Sequence, residues 1–138
     1  MTIFPFPGAS KAQLSWQEYI SSDRIIAFEA EFSIRTEGTY YVYCHLRVSQ
    51  QVKRIVIRRN SSELFSTLPS FTSNTKGVVQ MSGLAEISRY SLLYVEAEFN
   101  NSFPKKETYL DGRKMNHLFP DFFDKEQSPN SFGMFLVS

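Results

Sequence analysis

Residues 39–48 read Thr-Tyr-Tyr-Val-Tyr-Cys-His-Leu-Arg-Val, and this stretch decides the fold. Side chains alternate between the two faces of a β-strand, and one row here is apolar: Tyr40, Val42, Cys44, Leu46 and Val48. The other row starts with two aromatic rings and consists of Tyr41, Tyr43, His45 and Arg47. Because the outer face of a lone sandwich is usually polar, the second row indicates that another surface covers its rings. The alternative is that Tyr41 and Tyr43 are ordinary strand tyrosines whose hydroxyl groups reach solvent.

The rest of the chain shows the same short-stretch pattern. Apolar residues, among them 13 Phe and 7 Tyr, are separated by Gly, Pro, Asn and Ser and lack sustained helical spacing. The pattern predicts strands over residues 25–34, 39–48, 52–58, 63–68, 78–87, 92–99, 116–123 and 131–137. Such a series of strands is typical of an all-β sandwich or jelly roll. We expect a single domain over residues 1–138.

Composition limits the partners of the chain. There are 15 Lys and Arg against 14 Asp and Glu, so the net charge of +1 does not favour nucleic acid or an anionic membrane as the main partner. The longest apolar run is residues 40–44, whereas a membrane span needs about 20 residues. The single cysteine, Cys44, closes no internal disulfide. We expect any anchor or signal to lie upstream, and no membrane contact from this segment.

Three motifs carry a resemblance to a known family. They are Leu14-Ser15-Trp16, Gly38-Thr39-Tyr40-Tyr41-Val42-Tyr43 and Ser131-Phe132-Gly133-Met134-Phe135-Leu136-Val137. In order and spacing they resemble the tumour necrosis factor ligand family, and residues 83–95 resemble its paired strands before the last third. The resemblance implies a jelly roll of two antiparallel sheets that assembles as a homotrimer.

The resemblance also implies roles for particular residues. It places a set of side chains toward the trimer axis or around it: Tyr41, Tyr43, His45, Phe132, Phe122 and Phe123. It implies receptor binding in grooves between protomers, through loops that here include Arg59, Asn60, Ser61, Ser49, Gln50, Asn74 and Lys76. For each loop the alternative is a plain solvated turn.

The implied function is that of an extracellular, cytokine-like ligand, either secreted or the ectodomain of a type II membrane protein. It would cluster receptors of the tumour necrosis factor receptor family and would need no cofactor. The complement globular-head family, a related jelly-roll trimer with a similar strand, is the nearest rival, although the chain lacks the Gly-X-Y repeat of its usual collagen stalk. A third possibility is a jelly-roll carbohydrate-binding protein or enzyme.

The chain departs from the ligand family at three points, one of which is a connection over residues 100–115 that is longer than usual. Tyr90-Ser91 stands where the family often has a Gly-Asp turn, and Cys44 alone cannot supply the cysteine pair that bridges apical loops in many members. These departures concern the subfamily more than the fold.

Catalytic motifs are absent from the sequence. It contains no Gly-x-Ser-x-Gly, His-Glu-x-x-His, Cys-x-x-Cys or glycine-rich phosphate loop, so we expect no enzyme and no metal site. Cys44 and His45 are adjacent, and on a strand they point to opposite faces. Asp121 and Asp124 lack the glycine-bearing loop of a calcium site.

Two surface features have simple interpretations. A dense basic stretch consists of Arg47, Lys53, Arg54, Arg58 and Arg59. We interpret it as charges that protect a strand edge from pairing, and not as a site for heparin-like chains or an acidic receptor surface. The tripeptides that start at Asn60 and Asn100 match the N-glycosylation pattern. Since roughly one such match is expected by chance from this composition, two are weak support for glycosylation.

Overall fold

The computed structural model describes residues 2–5, 10–16, 20–28, 30–49, 52–71, 76–100 and 130–138. The regular elements in these ranges are β-strands. In chain order they are β1 (Thr2–Pro5), β2 (Lys11–Ser15), β3 (Ile25–Ala27), β4 (Phe32–Ile34), β5 (Gly38–Ser49), β6 (Val52–Arg59), β7 (Ser62–Thr67), β8 (Ser70–Phe71), β9 (Lys76–Ile87), β10 (Leu92–Phe99) and β11 (Ser131–Leu136).

The strands form two antiparallel sheets. The first has the order β1-β2-β10-β4-β3, in which β2 and β4 pair with the same edge of β10. The other edge of β10 pairs with β6, and β6 pairs in turn with β7. The second has the order β11-β5-β9-β8. Within it β5 pairs with β9 along its full length, from Gly38 to Ser49. The expected all-β jelly-roll sandwich is confirmed.

The core lies between the two sheets. The apolar row of β5 supplies one side of it, and every member from Tyr40 to Val48 is at most 1% exposed. The first sheet supplies the other side, with Leu14, Ile34, Ile55, Ile57, Leu93 and Val95. Tyr40 keeps its hydroxyl group bonded inside this layer by donating to the carbonyl of Thr36. At about 1.5–3 kcal/mol for each fully buried aliphatic side chain, these contacts are the main stabilising term of the fold.

One predicted strand is two strands in the structure. The region 25–34 folds as β3 and β4, which pair with Ile25 opposite Ile34. The backbone N–H of Phe28 donates to the carbonyl of Glu31 at 2.8 Å and closes the connection. The prediction was wrong because Phe28 and Ala30 continue the apolar pattern through this connection. It also missed β1, β2 and β8, and the predicted strand 116–123 lies outside the described residues.

The interpretation of the basic stretch as protection of a strand edge was also wrong. β6 lies between β10 and β7, so it is an interior strand. Two of its arginines pair with glutamates of the neighbouring strands: Arg54 Nη2 is 2.8 Å from Glu63, and Arg58 Nε is 3.1 Å from Glu96. These arginines therefore connect strands of the first sheet.

Candidate interaction surface

The outward face of the second sheet carries the second row of β5. In an antiparallel pair, residues directly opposite each other project to the same face. Tyr41 lies opposite Leu84 of β9 and Phe135 of β11, and the rings of Tyr41 and Phe135 are 5.3 Å apart. Tyr43 follows with its ring 6.3 Å from that of Tyr41. We call the surface made by Tyr41, Tyr43, Leu84 and Phe135 the aromatic face.

The aromatic face is open to solvent on the single chain. Leu84 is 62% exposed, Phe135 54% and Tyr43 38%, while Val137 next to them is 52% exposed. Neighbouring large apolar side chains on one face of a sheet are characteristic of a surface that another protein covers. Tyr41 and Tyr43 therefore occupy the outward face of the second sheet, and the trimer contact expected of them stays a prediction.

The outward face of the second sheet changes from apolar to polar along β5. His45 lies opposite Gln80 of β9 and Ser131 of β11, and Arg47 lies opposite Val78. Apolar rings therefore occupy the half near the start of β5, and polar and basic groups occupy the half near its end.

Phe132 does not belong to this face, which corrects the sequence assignment. It pairs with Cys44, whose side chain is buried, and so it projects toward the core. There its ring lies 5.0 Å from that of Phe32 and 5.9 Å from that of Trp16. Phe135 takes the outward position instead. The alternation within 131–137 carried this signal, because odd and even positions of a strand occupy opposite faces. Phe122 and Phe123 lie outside the described residues.

A cavity of about 730 Å³ adjoins the aromatic face. Residues of β5 and β9 form one wall, and residues 65–67 of β7 form the other. Its lining includes Tyr43, His45, Phe65, Gln80 and Ser82. The cavity lies at the side of the sandwich where β9 is next to β7, so it extends the outward face around the sheet edge.

The predicted receptor loops do not form one cluster on the chain. Arg59 is the last residue of β6, and Asn60 and Ser61 form the turn to β7. Ser49 and Lys76 were expected in loops, but they end and begin strands and pair with each other. They lie at the opposite end of the sandwich, because β5 runs away from the turn at Asn60. Gln50 and Asn74 lie outside the described residues.

Asn60 has an unusual backbone that the turn requires. Its φ is 55°, in the left-handed region where asparagine is tolerated better than most residues. The side-chain oxygen Oδ1 accepts a hydrogen bond from the N–H of Leu92 at 3.0 Å, and the N–H of Asn60 donates to the carbonyl of Leu92 at 2.8 Å. Asn60 is exposed, as is Asn100, the other residue of the glycosylation pattern.

In the turn between β9 and β10, an aromatic residue also has a left-handed backbone conformation. Tyr90 has a φ of 69° and is 63% exposed. The guanidinium carbon of Arg89 lies 5.0 Å from the centre of its ring, at cation–π distance. The next residue, Ser91, is buried, and its carbonyl accepts from the N–H of Ile34 at 3.0 Å. This is the point where the sequence lacks the expected Gly-Asp turn.

Cys44 and His45 lie on opposite faces, as predicted. Burial raises the pKa of the Cys44 thiol to about 12, so it stays protonated in the folded chain. It packs in the core as a small apolar group. Among the described residues no group of three or more His, Cys, Asp or Glu side chains is arranged to hold a metal ion, and no helix could span a membrane.

The comparisons with known proteins identify the fold. No family model and no curated protein matches the chain in sequence. Among solved structures, murine APRIL at pH 8.0 matches with a TM-score of 0.59 and 14% identity, over 74% of this chain and 82% of that chain. Murine APRIL at pH 5.0 matches with a TM-score of 0.56 and 15% identity, over 72% and 84%. The chain therefore has the jelly-roll fold of the tumour necrosis factor ligands, as the sequence resemblance predicted.

Proposed function

We propose that the chain is an extracellular, cytokine-like ligand of the tumour necrosis factor type. Residues 1–138 form a single domain that assembles as a homotrimer and clusters cysteine-rich receptors at the clefts between protomers. The mechanism needs no catalysis and no cofactor. Three equivalent clefts bring receptor chains together, and avidity multiplies the effect of each contact.

The aromatic face is the observation that supports the proposal. An aromatic side chain buries roughly 150–250 Å², so covering the exposed half of Phe135 removes roughly 100 Å² from water. At about 25 cal/mol per Å² this is about 2.5 kcal/mol for one side chain. Leu84, Tyr43 and Val137 add to it, and a cyclic trimer would bury the set three times. The sum is large enough to oppose an association cost of about 4–15 kcal/mol.

Two exposed leucines provide a matched test of assembly. Leu84 lies on the aromatic face and is 62% exposed, while Leu68 lies between β7 and β8 and is 66% exposed. In sedimentation velocity at micromolar concentration we expect a trimer for the wild type and for Leu68→Asp, and a monomer for Leu84→Asp. A monomeric wild type, or the same effect from both substitutions, would contradict the proposed interface.

Receptor binding needs a separate measurement. The purified wild type is screened against immobilised ectodomains of the receptor family, with Leu84→Asp as the non-assembling control. We expect at least one receptor to retain the wild type strongly and the variant weakly, because the variant lacks avidity. No retention across the panel would contradict the receptor half of the proposal and leave the assembly result intact.

A further inference from the structure

Among the described residues, four arginines lie at one end of the sandwich, where β4, β6 and β9 finish. They are Arg24, Arg35, Arg59 and Arg89, and we call this surface the arginine end. Backbone hydrogen bonds join its segments. The N–H of Arg35 donates to the carbonyl of Arg24 at 2.7 Å, and the N–H of Tyr90 donates to the carbonyl of Ile34 at 2.7 Å. The segments that carry three of the arginines are therefore direct neighbours.

The fourth arginine joins this surface through its side chain. Arg59 precedes the turn at Asn60, whose N–H donates to the carbonyl of Leu92 just beyond the turn at Tyr90. The Nη1 of Arg59 donates to the carbonyl of Glu86 at 2.8 Å, near the end of β9. This places the guanidinium of Arg59 beside the strand that leads into Arg89.

The guanidinium groups of the arginine end have no carboxylate partner in the part of the chain that the structure describes. Within the described ranges none of the four is within ion-pair distance of an Asp or Glu side chain, although Asp23, Glu37 and Glu86 are close to them in sequence or register. Arg54 and Arg58, on the face of β6, do have such partners. A guanidinium offers five N–H donors in a planar fork that matches a carboxylate. Among the described residues, the arginine end therefore presents guanidinium donors that no carboxylate of the fold uses.

Tyr90 adds an aromatic ring at a conformational cost. A left-handed backbone costs an L-residue roughly 1–2 kcal/mol, and glycine would avoid that cost. The ring contributes little to the core in return, because it is 63% exposed and its described aromatic contact is with Arg89. Strained backbone of this kind is concentrated at binding and catalytic sites.

We propose that the arginine end, with Tyr90 at its centre, binds an acidic segment of a protein partner. Carboxylates of that segment pair with the guanidinium groups, and an apolar side chain packs on the exposed ring. Tyrosine and arginine are, with tryptophan, the residue types enriched among those that dominate protein interfaces. A sulfated polysaccharide would need only the charges, and an aromatic ring held in a costly backbone favours a protein.

The inference rests on the proposed function in one respect, since the partner is taken to be the receptor. The arginine end lies at the ends of the strands, whereas the aromatic face lies on the outward side of the second sheet. A trimer formed through the aromatic face would thus present three arginine ends. Each would be adjacent to the turn at Asn60, which the family resemblance also assigns to receptor binding.

The test measures peptide affinity by fluorescence anisotropy, using the full chain. The probe is a labelled synthetic peptide of Glu, Asp and Leu, and its Gln and Asn analogue is the uncharged control. The variants are Arg89→Glu and Tyr90→Ala, with Lys53→Glu on exposed Lys53 as a control that changes the net charge as much as Arg89→Glu does. Tyr90→Gly removes the ring and relieves the backbone, so it separates lost binding from lost folding.

We expect the acidic peptide to bind and the uncharged analogue not to bind. Arg89→Glu, Tyr90→Ala and Tyr90→Gly should each weaken binding about tenfold, while Lys53→Glu leaves it unchanged. No binding, or equal effects of Arg89→Glu and Lys53→Glu, would overturn the inference. Binding of heparin oligosaccharide that depends on Arg89 but not on Tyr90, without peptide binding, would identify a polysaccharide surface and would also overturn it. Because the titration does not require trimers or a known receptor, its failure is distinct from that of the proposed function.

Discussion

The ring of Tyr43 lies directly on Gly133, its partner across the β5–β11 pair. A Cβ atom built on Gly133 would overlap the hydroxyl group and ring of Tyr43, and Gly133 is buried although it faces outward. A cross-strand aromatic ring thus covers the glycine of the closing strand, a known way to compensate for glycine in a sheet. The glycine in the Phe-Gly motif of 131–137 is therefore needed to seat an aromatic ring of the candidate interface.

We predict that Gly133→Ala destabilises the fold through this contact. The added methyl group displaces the Tyr43 ring, and overpacking of this kind costs about 1–3 kcal/mol. Chemical denaturation measures the free energy of unfolding, with Gly133→Ala and Tyr43→Ala made singly and together. Once the ring is absent, Gly133→Ala should cost little. Additive effects of the two substitutions would show that the two residues are not coupled.

The left-handed backbone at Tyr90 predicts an inverted order of stability. At an ordinary strand or helix position glycine is about 0.5–1 kcal/mol less stable than alanine. At a φ of 69° the order reverses, because alanine keeps the conformational cost that glycine avoids. We expect the free energy of unfolding of Tyr90→Gly to exceed that of Tyr90→Ala by about 1 kcal/mol, as measured by chemical denaturation. If alanine is the more stable of the two, the backbone at Tyr90 is not left-handed.

The buried thiol of Cys44 predicts a pH dependence of stability. Its pKa is raised from an ordinary value of 9.0 to about 12, so the unfolded chain loses this proton first as the pH rises. The contribution of the thiol is therefore complete below pH 9.0 and is lost as the pH rises toward about 12. Comparing wild type with Cys44→Val over this range isolates the thiol from other titrating groups. The wild type should lose more stability than the variant.

The same burial predicts that Cys44 is unreactive in the native state. The thiolate is the reactive form, and this side chain is 1% exposed. Iodoacetamide near neutral pH should modify Cys44 only when denaturant unfolds the chain. Modification at equal rates with and without denaturant would place Cys44 at the surface.

Two glutamates that pair with arginines of β6 should differ in importance. Glu96 pairs with Arg58, and both side chains are largely buried, at 18% and 17% exposed. Glu63 pairs with Arg54 and is 44% exposed. We expect Glu96→Gln to cost about 2 kcal/mol of unfolding free energy, because it leaves a partly buried guanidinium without its carboxylate. Glu63→Gln should cost less than about 0.5 kcal/mol, since solvent screens exposed pairs. Equal costs would contradict this ranking.

Much of the fold could be predicted because two-residue alternation is a local signal. In residues 39–48 it gave the buried row and the outward row correctly, and the buried row includes Cys44. The same rule applied to 131–137 separates inward Phe132 from outward Phe135. The family resemblance, however, assigned a role at the trimer axis to Phe132 and none to Phe135. The position of a residue in a motif does not by itself say which face of the strand it occupies.

Other features depend on contacts that the local sequence does not encode. Leu84 and Phe135 join Tyr41 only because β9 and β11 pair with β5 in one particular register. Arg54 and Arg58 looked like residues of a strand edge because Glu96 and Glu98, their partners on β10, lie far away in the sequence. The family resemblance indicated that Tyr90 stands in place of a glycine, yet its positive φ is a property of the folded turn.

The pairing of β11 with β5 also constrains how the chain folds during synthesis. His45 meets Ser131, so the second sheet lacks one of its strands until the ribosome has released nearly all the described residues. Pairings between strands so distant along the chain form slowly, because closing a long loop costs conformational entropy before any stabilising contact forms. Until then the uncovered edge of β5 is free to pair with other nascent chains. Yield during expression should therefore be more sensitive to changes in β11 than its short length suggests.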